Sequence, residues 1–345
     1  VDKPLKKRKT VPLKSFSKYI EQLMDQELIG HLYRKMLRIR RFEEEAARMY
    51  TERKIGGFLH LYIGQEAVAV GAVSVLDLQK DYVMTAYRCH GHYLACGGNS
   101  RQGLAELLGK ETGCAKGRGG SMHFYDLDNH FLGGWGIIGA QVPVAAGVAF
   151  AQKYKEDGGV TLCFLGDGAI NIGPFHEGMS LAALWNLPVV YIIENNQFAM
   201  GTPLSKTSPV DDLSIRALGY PMAREVVDGH DVFAVRAAVH AAAKRAREKS
   251  LPTLIEAKTY RYRGHSMADP GTYRTKEEVE ERKRLDPIMS LGAKLDALGL
   301  SNMRKQIDDE IESEIQDAVK FAEESQMPDP STTTDYVYCD NSPLI

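Results

Sequence analysis

Residues 160–196 read VTLCFLGDGAINIGPFHEGMSLAALWNLPVVYIIENN. Val160–Leu165 is an apolar run of strand length and Val189–Ile193 is a second, both suited to burial within a sheet. Between them a Gly-Asp-Gly turn at 166–168 precedes a helical stretch from about Phe175 to Trp185. Strand, loop, helix and strand in that order predict a right-handed crossover between parallel neighbours. The loops after the two strands, Gly166-Asp167-Gly168 and Asn195-Asn196, then emerge together at the carboxyl edge of the sheet, where open α/β folds hold their ligands.

Working outward, short β-branched runs alternate with helical stretches from about residue 50 to 270, which predicts an α/β fold with a mostly parallel sheet and helices on both faces. Upstream, Leu32, Tyr33, Met36, Ile39, Phe42, Ala46 and Met49 recur at three- and four-residue steps, and Tyr19 to about Tyr50 reads as two helices. Downstream, Asp231 is placed to cap a helix running to about Lys249, and Thr253–Tyr262 reads as a strand. Residues 264–274 read as a loop. A last helix from about Asn302 to Glu324 carries an apolar stripe of Ile307, Ile311, Ile315, Ala318 and Ala322. The expected division is a flexible basic arm at 1–18, N-terminal helices at 19–50, an α/β domain at 51–290, and a C-terminal helix and tail at 291–345.

The 345 residues carry 43 basic and 45 acidic side chains, a formal net charge of −2 that argues against a nucleic-acid-coating surface. No apolar run reaches the ~20 residues that span a bilayer, so neither a membrane nor a nucleic acid is an expected partner. Five scattered cysteines (Cys89, Cys96, Cys114, Cys163, Cys339) form no zinc-type pair. The opening VDKPLKKRKTVP lacks the apolar stretch of a secretory signal.

Asp167 and the Asn195-Asn196 pair bring a carboxylate and an amide oxygen to one sheet edge. With a backbone carbonyl and phosphate oxygens they suit the all-oxygen shell of Mg2+, and the flanking glycines let backbone approach a diphosphate closely. Taken alone, Gly-Asp-Gly is usually a turn; strand context and spacing favour the ligand reading. A dinucleotide fingerprint is incomplete, because Asn171 stands where the third Gly belongs, and no P-loop lysine is present.

The segment GDGAINIGPFHEGMSLAALWNLPVVYIIENNQFAMGTP (166–203) carries the thiamine-diphosphate motif and closely resembles the alpha subunits of the two-subunit 2-oxo acid dehydrogenase family. The similarity runs from about residue 30 to 280, through GGFLHLYIGQEAVAVG, TAYRCHGHYLACG, KGRGGSMHFYD, GGWGIIGAQVPVAAGVAFAQKY and TYRYRGHSMADPGTYRTKEE. It implies a thiamine-diphosphate-binding fold, with thiamine diphosphate and Mg2+ as cofactors and pyruvate as the substrate. The expected activity is oxidative decarboxylation with transfer of the product acetyl group to a lipoyl arm; acetoin and branched-chain 2-oxo acid enzymes are the alternatives, and a non-catalytic scaffold is a third.

By the same resemblance Asp167, Asn196 and, through its carbonyl, Phe198 ligate Mg2+, which leaves the Phe198 side chain free to vary. Gly168, Ala169, Tyr87 and Arg88 meet the diphosphate, and Gly136 and Ile138 meet the aminopyrimidine. His60 and His265 are the catalytic histidines, His265 also touching the cofactor. Ser266 matches a phosphorylated position, whereas Thr272 and Pro203 stand where further serines would be. Ile172 replaces a glutamine expected near the substrate, and Trp135 replaces a small or polar residue. The carboxylate that protonates the aminopyrimidine belongs to a beta subunit in this family, so an α2β2 heterotetramer is expected, serving a lipoyl domain and an acyltransferase core. Gly139, Pro143 and Gly147, four residues apart, predict a smooth face for close helix approach. The expected location is the bacterial cytoplasm, or else the mitochondrial matrix or plastid stroma.

Overall fold

The computed structural model describes residues 26–336. The expected basic arm, residues 19–25 and Cys339 lie outside the described residues.

Eight strands are present among the described residues: β1 (Tyr82–Ala86), β2 (Phe131–Trp135), β3 (Thr161–Gly166), β4 (Val189–Asn195), β5 (Phe198–Ala199), β6 (Thr202–Pro203), β7 (Ala223–Asp228) and β8 (Thr253–Lys258). Six of them build one parallel sheet in the order β2-β1-β3-β4-β8-β7, and β5 and β6 form a separate antiparallel pair. The Gly173–Leu184 helix crosses from β3 to β4, as the motif predicts. The β3–β4 register pairs Gly166 with Glu194, so Asp167 and Asn195 leave the sheet at the same level.

Period-two alternation explains why both faces are covered. Leu162, Phe164, Val190, Ile192 and Ile255 point to a core built with the Gln26–Thr51, Glu66–Val73, Val232–Lys249 and Ser301–Glu324 helices. Cys163, Leu165, Val189, Tyr191, Ile193 and Leu254 point to the opposite core, under the Gln141–Lys155 and Gly173–Leu184 helices. Each large apolar side chain so removed from water contributes about 1.5–3 kcal/mol, which holds the motif-bearing strands from both faces. Asp231 caps the Val232–Lys249 helix by accepting from the amides of Phe233 and Ala234.

Gln26–Thr51 is one continuous 26-residue helix; the first part of the stretch expected as two helices, residues 19–25, lies outside the described residues. At Gly30 an added Cβ would meet Met303 Sδ of the C-terminal helix at 2.9 Å. One expectation is corrected. The strand expected over Thr253–Tyr262 ends at Lys258, since its partner β4 ends at Asn195 and the ladder has nothing to continue on. Thr259 N makes the last bond to β4, to the Asn195 carbonyl at 2.9 Å, and beyond it Tyr262 N turns to the Ile63 carbonyl at 3.2 Å. Arg40 ties the N-terminal helix to two others, pairing with Glu66 of the Glu66–Val73 helix at 2.5 Å and with Asp286, cap of the Pro287–Ala297 helix, at 2.9 Å. Among the described residues no helix is long and apolar enough to cross a membrane.

Candidate active site

At the carboxyl edge of the sheet lies a cavity of about 930 Å3. The ends of β1, β3 and β4, the turn after β2, and the segments around 58–65 and 261–273 enclose it. His60, Tyr87, Arg88, Gly136, Ile138, Asp167, Gly168, Ala169, Asn196, Phe198, His265 and Ser266 all line it. Residues drawn from six separate stretches of sequence therefore converge on one space.

Asp167 opens a short 3-10 turn (Asp167–Asn171) directly after β3, and the α-helix begins only at Gly173. Its carboxyl is buried, Oδ2 has no hydrogen-bond partner, and burial pushes its pKa up to about 6. The Asn196 amide donates through Nδ2 to Gln65 Oε1 at 3.0 Å, which leaves Asn196 Oδ1 as a second buried oxygen without a partner. Two such orphaned oxygens are costly unless a ligand meets them, and a hard cation is the ligand their chemistry fits. Among the described residues no three His, Cys, Asp or Glu side chains gather to hold a metal. A cation at Asp167 and Asn196 would therefore draw further oxygens from backbone, water or a phosphate.

Two guanidinium groups give the cavity a positive field. Arg88 is buried, and its Nη1 and Nη2 donate to neutral acceptors, the Leu61 carbonyl at 2.7 Å and the His265 carbonyl at 2.8 Å. Arg261, equally buried, donates to the carbonyls of Arg263 and Met200 and to the Tyr273 hydroxyl. Burial, followed by the nearby Arg261 charge, depresses the Arg88 pKa to about 10. A buried cation bonded only to neutral groups calls for an anion, and a diphosphate of matching size is well suited to a guanidinium fork.

His60 and His265 meet edge to face with ring centroids 5.2 Å apart, and Tyr87 stands 4.8 Å from one and 5.6 Å from the other. Burial, then the Arg88 charge, lowers their pKa values to about 3 and about 4, so both imidazoles are neutral at pH 7. Asp269 organises the loop carrying His265: its carboxylate accepts from His265 N at 2.6 Å, Gly271 N at 2.8 Å and the Tyr273 hydroxyl at 2.8 Å. Arg274 closes the loop by donating to the carbonyls of Arg261, Tyr262 and Arg263. Ser266 is buried in it.

Several expectations change at this level. The Phe198 side chain is not free: it is buried, 5.2 Å from the Tyr273 ring, with the Arg274 guanidinium 5.8 Å away. Ile172 lies outside the cavity and supports Gly139, where a Cβ would sit 2.3 Å from Ile172 Cδ1. Gly139 itself, at φ +73°, precedes the Gln141–Lys155 helix and does not share a helical face with Pro143 and Gly147. Trp135 ends β2, donates from Nε1 to the Leu132 carbonyl at 3.3 Å and packs on the second core. Sequence reasoning missed Gln65, Glu194, Arg261 and Asp269. Glu194 and Arg261 were within reach, each lying a few residues from an expected ligand; Gln65 and Asp269 act through tertiary contacts that no spacing rule encodes.

Fold and cavity together define an α/β protein with a cavity suited to an anionic cofactor at a sheet edge, as in the thiamine-diphosphate class. Residues 34–331 match the family described as dehydrogenase E1 component, and the chain belongs to that family. It is 44% identical over 309 residues to the "Pyruvate dehydrogenase E1 component subunit alpha" of Rickettsia felis, covering 89% of this chain and 94% of that one. The proteins of the same description from Rhizobium meliloti and Zymomonas mobilis are 48% and 45% identical, over 87% and 88% of this chain and 86% of each relative.

Proposed function

We propose that this chain is the alpha subunit of a pyruvate dehydrogenase, catalysing thiamine-diphosphate- and Mg2+-dependent oxidative decarboxylation of pyruvate with reductive acetylation of a lipoyl group. The observation that carries the reading is the convergence of two partnerless oxygens, on Asp167 and Asn196, with two buried guanidinium groups on one cavity. The names of the relatives support pyruvate as the substrate.

In this reading Asp167, Asn196 and the Phe198 carbonyl hold Mg2+. Gly168, Ala169, Tyr87 and Arg88 hold the diphosphate, and Gly136 and Ile138 the aminopyrimidine. Thiamine diphosphate supplies the nucleophilic carbon and the electron sink for decarboxylation. His60 and His265, being neutral, present hydrogen-bonding nitrogens to substrate and to the incoming lipoyl group without adding charge. Phe58, Tyr87, Met122, Ile138 and Tyr273 give the cavity a largely aromatic and apolar wall.

Among the described residues the carboxylates lining the cavity are Asp167, Glu194 and Asp269. Asp167 serves the metal, Glu194 is engaged by the Tyr62 hydroxyl and by His92 Nε2 at 3.1 Å, and Asp269 holds its loop. None is left to protonate the cofactor ring, which supports a beta subunit as the source of that group and an α2β2 assembly acting on a lipoyl domain of an acyltransferase core. The bacterial sources of the relatives support a bacterial cytoplasmic location. Ser266 is a proposed phosphorylation site; because it is buried, modification requires the 264–274 loop to open.

Co-expression with a beta subunit, then assay on pyruvate, 2-oxoisovalerate and acetoin with and without Mg2+, tests the reading. Preference for pyruvate with an absolute Mg2+ requirement is expected. Turnover confined to either other substrate would replace pyruvate, and no turnover of any would remove the enzyme assignment.

A further inference from the structure

We propose that Ser121, backed by His90 and Glu43, is a positioning residue that presents His60 to the cavity; this rests on the reading of His60 as an active-site residue. His60 belongs to the segment 59–63, which is not part of any strand, so its backbone groups must find partners outside a sheet ladder. They do so one by one. The Leu59 carbonyl accepts from Met267 N at 2.9 Å and the Ile63 carbonyl from Tyr262 N. The Leu61 carbonyl takes Arg88 Nη1. Two amides of the segment, of His60 and Tyr62, are held by one buried network.

Tyr62 N donates to Glu43 Oε1 at 2.7 Å. The other oxygen, Oε2, lies 2.9 Å from His90 Nδ1. A carboxylate accepts, so Nδ1 carries the proton. His90 Nε2 stands 3.0 Å from Ser121 Oγ and 3.0 Å from the Ser121 carbonyl, and Ser121 Oγ accepts the His60 amide at 3.1 Å. Toward the Ser121 carbonyl Nε2 can only donate, and toward the Ser121 hydroxyl it can donate or accept; in either state Ser121 Oγ keeps a lone pair for the His60 amide. Glu43 and His90 are fully buried, and Ser121 and His60 nearly so.

Glu-His-Ser is the arrangement of a hydrolytic triad, but here the serine does not line the cavity and its oxygen is occupied by a backbone amide. Its output is position. The bond reaches His60 through its backbone amide; the ring itself packs against Tyr87 and His265, with Nδ1 buried without a partner. Glu43 thereby links the N-terminal helix to the orientation of an imidazole across the cavity wall.

The test is a double-mutant cycle in the assembled enzyme. Ser121→Ala should lower kcat about tenfold to hundredfold, the size expected of a misplaced group, with calorimetric cofactor affinity unchanged within about twofold, and Glu43→Gln should do the same to a smaller degree. In a His60→Ala background Ser121→Ala should cost nothing further, because groups acting as a unit are not additive. Equal losses from Ser121→Ala in both backgrounds would overturn the proposal. A His60→Ala enzyme with full activity would instead overturn the role of His60 itself. Thermal unfolding of each variant separates misfolding from misplacement: if Ser121→Ala unfolds, Ser121→Cys, which keeps a weak acceptor, repeats the cycle and is read by the same criterion.

Discussion

Asn196 and Gln65 are joined amide to amide, with Asn196 Nδ2 donating to Gln65 Oε1 at 3.0 Å. The bond fixes which end of the Asn196 side chain is free, and the free end is the oxygen a cation needs. Gln65→Leu would remove that constraint and let the amide turn its NH2 group toward the metal. Losing one orienting hydrogen bond is worth about 1 kcal/mol, so Mg2+-dependent thiamine diphosphate affinity should fall roughly five- to tenfold. Calorimetry on the assembled protein reads this directly, and unchanged affinity would show that Asn196 orients without help.

Asp167 makes the metal-free protein sensitive to pH in a definite direction. Burial raises its carboxyl from 3.8 to about 6, so between those values the folded state holds a proton that the unfolded chain has released. Stability therefore falls as pH rises through that window, and the cost, on the order of 3 kcal/mol, is fully present above about pH 6. In the presence of a chelator Asp167→Asn should melt several degrees above the parent protein at pH 8, with the gap closing toward pH 5. The same substitution should abolish Mg2+-dependent cofactor binding. A gap that does not narrow at low pH would show that the carboxylate is not desolvated.

For the two histidines the shift has the opposite sense. Burial and Arg88 hold His60 near 3 and His265 near 4, below the usual 6.5, so the unfolded chain binds protons that the folded one does not. Their neutral state stabilises fully above about pH 6.5, and that contribution is lost as pH falls toward 4. Carbon-labelled histidine NMR should show neither ring titrating between pH 5.5 and 8.5. A midpoint near 6.5 for either would place that imidazole in contact with water and remove its role as a neutral donor.

Much of this was readable in advance because β3 and β4 carry their own evidence: apolar on both faces, bounded by Gly166 and Asn195, with a helix of the right length between. The Asp231 cap was equally legible, since a cap is a local device. What the sequence concealed depends on distant partners. Thr259–Tyr262 looks like a strand by composition and is denied a ladder only because β4 stops. Glu43 resembles an ordinary helix acid until the fold buries it against His90 and Tyr62. Ile172 sits five residues after Asp167, and its contact with Gly139, across the short 3-10 turn, is not encoded in that spacing.

Arg88 joins the two histidine-bearing segments, bonding Leu61 beside His60 with one nitrogen and His265 with another. A lysine keeps the charge but has a single nitrogen on a flexible stem and cannot span both carbonyls. Arg88→Lys should therefore separate two effects. The long-range attraction for the diphosphate is retained, while the 264–274 loop loses its tie, since hydrogen bonds from a charged donor are worth about 1.5–3 kcal/mol each. Limited proteolysis should cleave within 264–274 at least about tenfold faster than in the parent protein, in keeping with that loss. Cofactor affinity should fall with it, and a saturating excess of thiamine diphosphate and Mg2+ should restore part of the protection. Cleavage at the parental rate, with affinity lowered, would mean that Arg88 serves the diphosphate alone and that Asp269 and Arg274 hold the loop without it.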